Sequence, residues 1–147
     1  MIQLLKLSVN GDDDLDGEEV LSIHWGHYHL HEKVTFGTNL PVKDRQEYII
    51  LVLGNIPDFC WICHIADHEY SLEPVSAPEG FIKYSPAKYK QDRCKTWFIF
   101  DYMQEIPVKF LDQPFLPEFP PKNAKGPIYE FITNRANNKK MLYAHEP

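Results

Sequence analysis

The sequence predicts an α+β domain, mainly antiparallel β: a single curved sheet of five to six strands with one C-terminal helix. Three observations predict it. Short apolar runs of strand length recur between Gly, Pro and Asn breakers. Turns rather than helical patterns join them, so the strand–helix alternation of a doubly wound fold is absent. The best helix candidate comes late, after Gly126-Pro127, with proline at the first helical position.

Ile2 to Val9 reads as the first strand, ended by Asn10-Gly11 and an acidic turn from Asp12 to Gly17. Glu18 to His24 reads as a second strand, interrupted at Gly26. His27 to Phe36 alternates strictly. Tyr28, Leu30, Glu32, Val34 and Phe36 fall on one side, and His27, His29, His31, Lys33 and Thr35 on the other. That period of two is the mark of a strand with one buried and one wet face. A hairpin turn at residues 24–27 would set His24 against His27; a glycine bulge in one bent strand is the competing geometry.

Residues 37–46 form a loop or one short helical turn. Tyr48 to Leu53 (YIILVL) is a continuous apolar run, expected of a central strand buried on both sides. Gly54 to Asp58 turns the chain, and Phe59 to Tyr70 returns as a partner strand. Residues 71–94 are irregular, with Pro74, Pro78 and Pro86. Thr96 to Met103 is an aromatic-rich strand. Prolines at 107, 114, 117, 120 and 121 exclude helix and central strand over 107–126, which reads as an extended wrap. Residues 127–138 form the helix. Residues 1–147 contain no linker or repeat, so one domain is expected.

Aromatic residues make up 14% of the chain, enough ring surface to exclude global disorder. No apolar stretch approaches the ~18 residues a membrane helix needs. The opening run lacks the basic flank and cleavage site of a secretory signal. Three cysteines, an odd number, point to a reducing compartment rather than a disulfide framework. Together these predict a cytoplasmic protein with no membrane partner. A net charge of −6 argues against a broad basic face that tracks phosphates.

The histidine strand is the first candidate for chemistry. Residues two apart on a strand have Cα atoms ~6.6 Å apart, so two imidazoles can share one ion, whereas His27 and His31 would be ~13 Å apart. A metal site would use His27 and His29, or His29 and His31, completed by His24 or by the acidic turn at Asp16. Imidazole donors favour Mn, Ni or Zn over Mg. The plain alternative is a solvated face. The second candidate is Cys60, Cys63, His64 and His68. Its C-x-x-C pair sits inside an apolar strand, so buried small residues account for it better than a zinc knuckle. Nucleophile-elbow and phosphate-loop patterns are absent.

Residues 28–101 carry in order His31-Glu32-Lys33, Val42 to Arg45, Tyr48 to Leu53, Pro57-Asp58-Phe59 and Cys60 to Glu69. On these residues the segment resembles small restriction-endonuclease-like proteins of the PD-(D/E)XK type from bacteria and phages. The resemblance implies that Lys33 is the family's lysine and that Asp16 or Glu18 is its metal-binding acid, with His31 where the family carries Asp or Glu. The catalytic set it implies is Asp16, His31 and Lys33. A rival resemblance is to PUA, EVE and YTH base-reading domains, in which Trp61, Trp97 and Phe98 would stack on a splayed base.

Three function classes follow. A metal-dependent phosphodiesterase or nuclease-like protein would use a divalent ion held by Asp16, His27, His29 and His31, with nucleic acid as partner. A base reader would use Trp61 and Trp97. A small acidic interaction or inhibitor protein of phage or bacterial origin would bind a protein partner and need no catalytic site. The Lys and His strand makes the first the leading expectation.

Overall fold

The computed structural model describes residues 2–11, 14–53, 56–108 and 139–144. The chain runs β1 (Ile2–Ser8), α1 (Gly17–His31), β2 (Val34–Thr38), β3 (Tyr48–Leu53), β4 (Ile56–Ser76), α2 (Glu79–Ile82), a 3₁₀ turn at Ala87–Tyr89, β5 (Arg93–Pro107) and β6 (Lys139–Ala144). The six strands form one sheet in the order β2-β5-β4-β3-β1-β6. The α+β class therefore holds. The sheet is mixed rather than purely antiparallel, because β1 and β3 pair in parallel, Leu5 opposite Ile49. Parallel neighbours need a crossover, and the chain from β1 to β3 includes α1 and β2.

The largest correction falls on residues 17–33. The two expected strands over 18–24 and 27–36 are one helix followed by the short strand β2. The helix begins with a capping box. Asp16 accepts a hydrogen bond from the Glu19 N–H at 2.9 Å, and the Glu19 carboxylate accepts one from the Asp16 N–H at 3.3 Å. This reciprocal pairing satisfies two of the donors a helix start leaves open. Gly17, Val20, Leu21 and His24 are buried, which is the spacing of one helical face. Leu30 is 77% exposed, so it is not a core residue. Tyr28 is half-buried, and Val34 and Phe36 are buried as expected. The helix closes at Glu32, whose φ of 65° is left-handed and whose N–H reaches the Tyr28 carbonyl.

The main core lies between α1 and one face of the sheet. Val20 and Leu21 meet Leu5 and Leu7 of β1, Ile49 and Leu51 of β3, and Phe98 and Phe100 of β5. β3 lies between β4 and β1, and Ile49 to Leu53 are all buried, as a continuous apolar run requires. A smaller core of Phe81, Cys94, Trp97 and Ile99 forms beneath α2.

The β4–β5 ladder is interrupted between Tyr70 and Val75 and, nearer its middle, twice in quick succession. Between the pairs His64–Tyr102 and Ile65–Phe100, Asp101 has no partner opposite; between Ile65–Phe100 and Asp67–Ile99, Ala66 has none. Each is an extra residue of the β-bulge kind, which bends the strand and re-aims its side chains. The expected wrap beyond Val108 and the helix over 127–138 lie outside the described residues. β6 was not expected; its Lys139–Ala144 lies against β1 with antiparallel register.

Candidate functional site

The helix changes what the histidines can do. Residues four apart on a helix are neighbours, and residues two apart are not. His27 and His31 accordingly meet, ring centroids 4.4 Å apart. His29 instead stacks on Trp25 at 4.8 Å. Asp16 is the N-cap and His31 the last helical residue, so they stand roughly 22 Å apart at ~1.5 Å per residue. Lys33 lies past the helix, its ammonium 5.3 Å from the centre of the Tyr84 ring. The expected catalytic set Asp16, His31 and Lys33 and the expected metal set Asp16, His27, His29 and His31 are thus not brought together. Only the His27–His31 pair survives as geometry. Burial, then the neighbouring charges of His31 and Lys90, lowers the His27 pKa. Among the described residues no three or more His, Cys, Asp or Glu side chains converge on a metal position.

The cysteines are buried and free. Burial pushes the thiol of Cys60 up to about 12 and that of Cys94 up to about 11, and raises Cys63 well above its usual value. Thiolate is the form that binds metal or attacks, so these groups are core residues. His68 is tied down as well: its Nε2 donates to the Val42 carbonyl at 2.8 Å and its ring stacks on Phe98.

The concavity with the most built character lies elsewhere. It has a volume of about 450 Å³, inside the ~300–1,000 Å³ typical of small-molecule sites. Ser8 at the end of β1, Val9 to Gly11 after it, Val20 and His24 of α1, Phe36 to Leu40, Tyr89, Asp92, Cys94 and Trp97 line it. His24 is 3% exposed. Its ring stacks on Tyr89 at 4.8 Å and meets Phe36 edge-on at 5.0 Å. Its Nδ1 donates to the Val20 carbonyl at 2.7 Å, which leaves the lone pair on Nε2. Burial is the main cause that lowers its pKa from 6.5 to about 4; the Val20 hydrogen bond opposes it, and His27 adds a little. The imidazole is therefore a neutral acceptor throughout the physiological range. Gly37 makes room for the wall: a Cβ there would lie 2.7 Å from the Trp97 ring and 2.8 Å from the Cys94 sulfur.

No family model, no curated protein and no solved structure matches this chain.

Of the two tryptophans expected to stack, Trp97 lines the cavity. It is 2% exposed, and its indole N–H donates to the Val75 carbonyl at 3.0 Å, so it is a wall rather than an open platform. Trp61 lies apart from the cavity, half-buried, its ring 6.5 Å from that of Trp25. The rings that sequence reasoning missed as a site are Phe36 and Tyr89, and His24 entered it only as a possible metal ligand. A helical reading of 17–31 would have placed His24 on the buried face with Val20 and Leu21.

Proposed function

We propose that the chain is a binding module that accepts a planar, uncharged heterocycle of the nucleobase class in the cavity at His24. One observation carries the reading: a cavity bordered by the rings of His24, Phe36 and Tyr89, with neither Lys nor Arg among the described residues that line it. Phosphate recognition would call for cationic donors. Ring stacking needs only π-faces, and edge readout needs a few amide and hydroxyl groups. Asn10, Thr38 and Asn39 supply those groups around the cavity, and Nε2 of His24 supplies an acceptor. A perturbed titratable group in the best-formed cavity is the usual signature of a functional site.

In this reading the ligand stacks within the cavity while its edge hydrogen-bonds to the amides. Specificity comes from that edge, because an unmatched polar group in a desolvated cavity is left without its partner. The net charge of −6 favours a free base or nucleoside, or one base splayed from a short single strand, over a long duplex. The phosphodiesterase expectation loses its support with the separation of Asp16, His31 and Lys33.

The test is calorimetric titration with the four common nucleosides and short single-stranded oligonucleotides, all in the presence of a chelator. Saturable binding of at least one is expected. Replacing Tyr89 by Leu removes one ring contact worth ~0.5–1.5 kcal/mol, so affinity should fall roughly 2- to 12-fold. Absence of binding by every nucleoside and oligonucleotide, or binding indifferent to Tyr89→Leu, would overturn the reading.

A further inference from the structure

His64 lies on β4 beside the bulge in β5, and the bulged residue Asp101 faces it. Nδ1 of His64 donates to an Asp101 carboxylate oxygen at 2.5 Å. The other ring nitrogen, Nε2, is 3.7 Å from a carboxylate oxygen of Glu47. Tyr48 packs edge-on against the imidazole at 4.9 Å. Around them is an open cleft of about 610 Å³, lined by Arg45, Gln46, Glu47, His64, Ile65, Ala66 and Asp101. The backbone fixes Glu47 against β4, because the Ile65 N–H donates to the Glu47 carbonyl at 2.8 Å.

We propose that His64 and Glu47 hold a divalent transition-metal ion, of which Zn²⁺ is the representative, with Asp101 as the residue that positions His64. The geometry has the order found at metal-bound histidines: carboxylate on one ring nitrogen, metal on the other. Two donor atoms that share a tetrahedral Zn²⁺ at ~2.0–2.1 Å are ~3.4 Å apart. Nε2 and the Glu47 oxygen, at 3.7 Å, need to close by only a few tenths of an ångström. Bound this way, the ion uses the lone pair that the Asp101 hydrogen bond leaves on Nε2.

Gln46 backs the same cleft: it is 4% exposed, its side-chain N–H₂ donates to the Asp44 carbonyl, and its side-chain oxygen, shielded from solvent, has no hydrogen-bond partner among the described residues. The charges agree. Glu47 and Asp101 contribute two negative charges to the cleft and Arg45 one positive, and the guanidinium is engaged with the Ala66 carbonyl at 3.2 Å. With two protein ligands, water completes the coordination, so the ion keeps open positions. A mixed imidazole and carboxylate donor pair selects Zn²⁺, Ni²⁺ or Mn²⁺ over Mg²⁺, which prefers oxygen ligands.

The experiment is calorimetric titration of the chelator-stripped full chain with ZnCl₂, with MgCl₂ in parallel. The expected result is one saturable Zn²⁺ site and no comparable Mg²⁺ uptake. His64→Ala and Glu47→Gln should abolish that site. Asp101→Asn should weaken it 10- to 100-fold, as loss of an orienting carboxylate does. His27→Ala and His31→Ala should leave it unchanged, which separates the cleft from the helical pair. Thermal melts in chelator establish that each variant folds. Nucleoside affinity, measured in chelator, is independent of this site and reads the cavity alone. The proposal is overturned if the wild-type chain takes up no Zn²⁺ at millimolar concentration. It is overturned equally if uptake survives His64→Ala, or disappears in His27→Ala.

Discussion

Protonation of His24 should set the acid stability of the fold. The ring is buried between Tyr89 and Phe36, and its pKa is lowered from 6.5 to about 4 by that burial. A base whose folded value is depressed binds its proton more tightly in the unfolded chain. Its contribution is therefore fully present above the unfolded value near 6.5. It is lost as pH falls towards about 4, and it stays constant below that. The gap, at ~1.4 kcal/mol per pH unit, amounts to about 3 kcal/mol. That is a large part of the ~5–15 kcal/mol that holds a domain folded. His27 and His68 are lowered too, so they tilt the curve the same way. The difference between wild type and His24→Leu isolates the one residue. Urea unfolding at pH 7, 6, 5 and 4.5 is the assay. The variant should gain on wild type by about a kcal/mol per unit between pH 6 and 4.5. A difference that stays constant with pH would mean that His24 titrates as a solvated imidazole, and the buried stacking geometry would be wrong.

Three further outcomes test the cavity and the helix. Gly37→Ala should drive a methyl into the Trp97 ring and the Cys94 sulfur; overpacking of this kind costs ~1–3 kcal/mol, and calorimetry should show nucleoside affinity lost with it. Asp16→Ala should lower stability by ~0.5–2 kcal/mol through loss of the cap, with no change in Zn²⁺ uptake; a loss of metal binding would return Asp16 to the ligand set. Leu21→Ala should cost ~2–5 kcal/mol in chemical denaturation, and Leu30→Ala less than ~0.5 kcal/mol, since Leu21 is fully buried and Leu30 is 77% exposed. Equal costs would restore the strand reading.

The histidine segment shows why part of the fold was legible and part was not. Tyr48 to Leu53 announced a central strand because six apolar residues in a row leave no face for water. His27 to Phe36 announced a strand by alternation, yet its first half, to His31, is helix. The alternation is a coincidence of composition: Leu30, on the face expected to be buried, stands in solvent, and Thr35, on the face expected to be wet, is buried. The competing signal was present in Asp16-x-x-Glu19, a capping box directly ahead of Val20 and Leu21. It was obscured because DDDLDGEE reads as an acidic turn. Trp25, partly exposed, and His24, buried, exchange the places that their polarity suggests, so the helical face is weakly marked.

The cleft at His64 was illegible for a different reason. His64 and Asp101 are 37 positions apart in the chain, and what joins them is strand register. In β5, Phe98 and Phe100 enter the main core, and so does Met103. A step of three in a period of two requires one extra residue between them. Asp101 is the residue left unpaired there. In the sequence the break is hidden, because Tyr102 is as aromatic as its neighbours and Thr96 to Met103 reads as one uninterrupted run. An uninterrupted ladder would have left no unpaired residue beside His64. The bulge supplies one, and it is Asp101 whose carboxylate meets Nδ1 of His64. The next irregularity, one residue on, frees Ala66 from the ladder, and its carbonyl holds the Arg45 side chain at the cleft. A site of this kind is carried by a defect in the sheet, and only the parity of the buried residues along β5 marks it in advance.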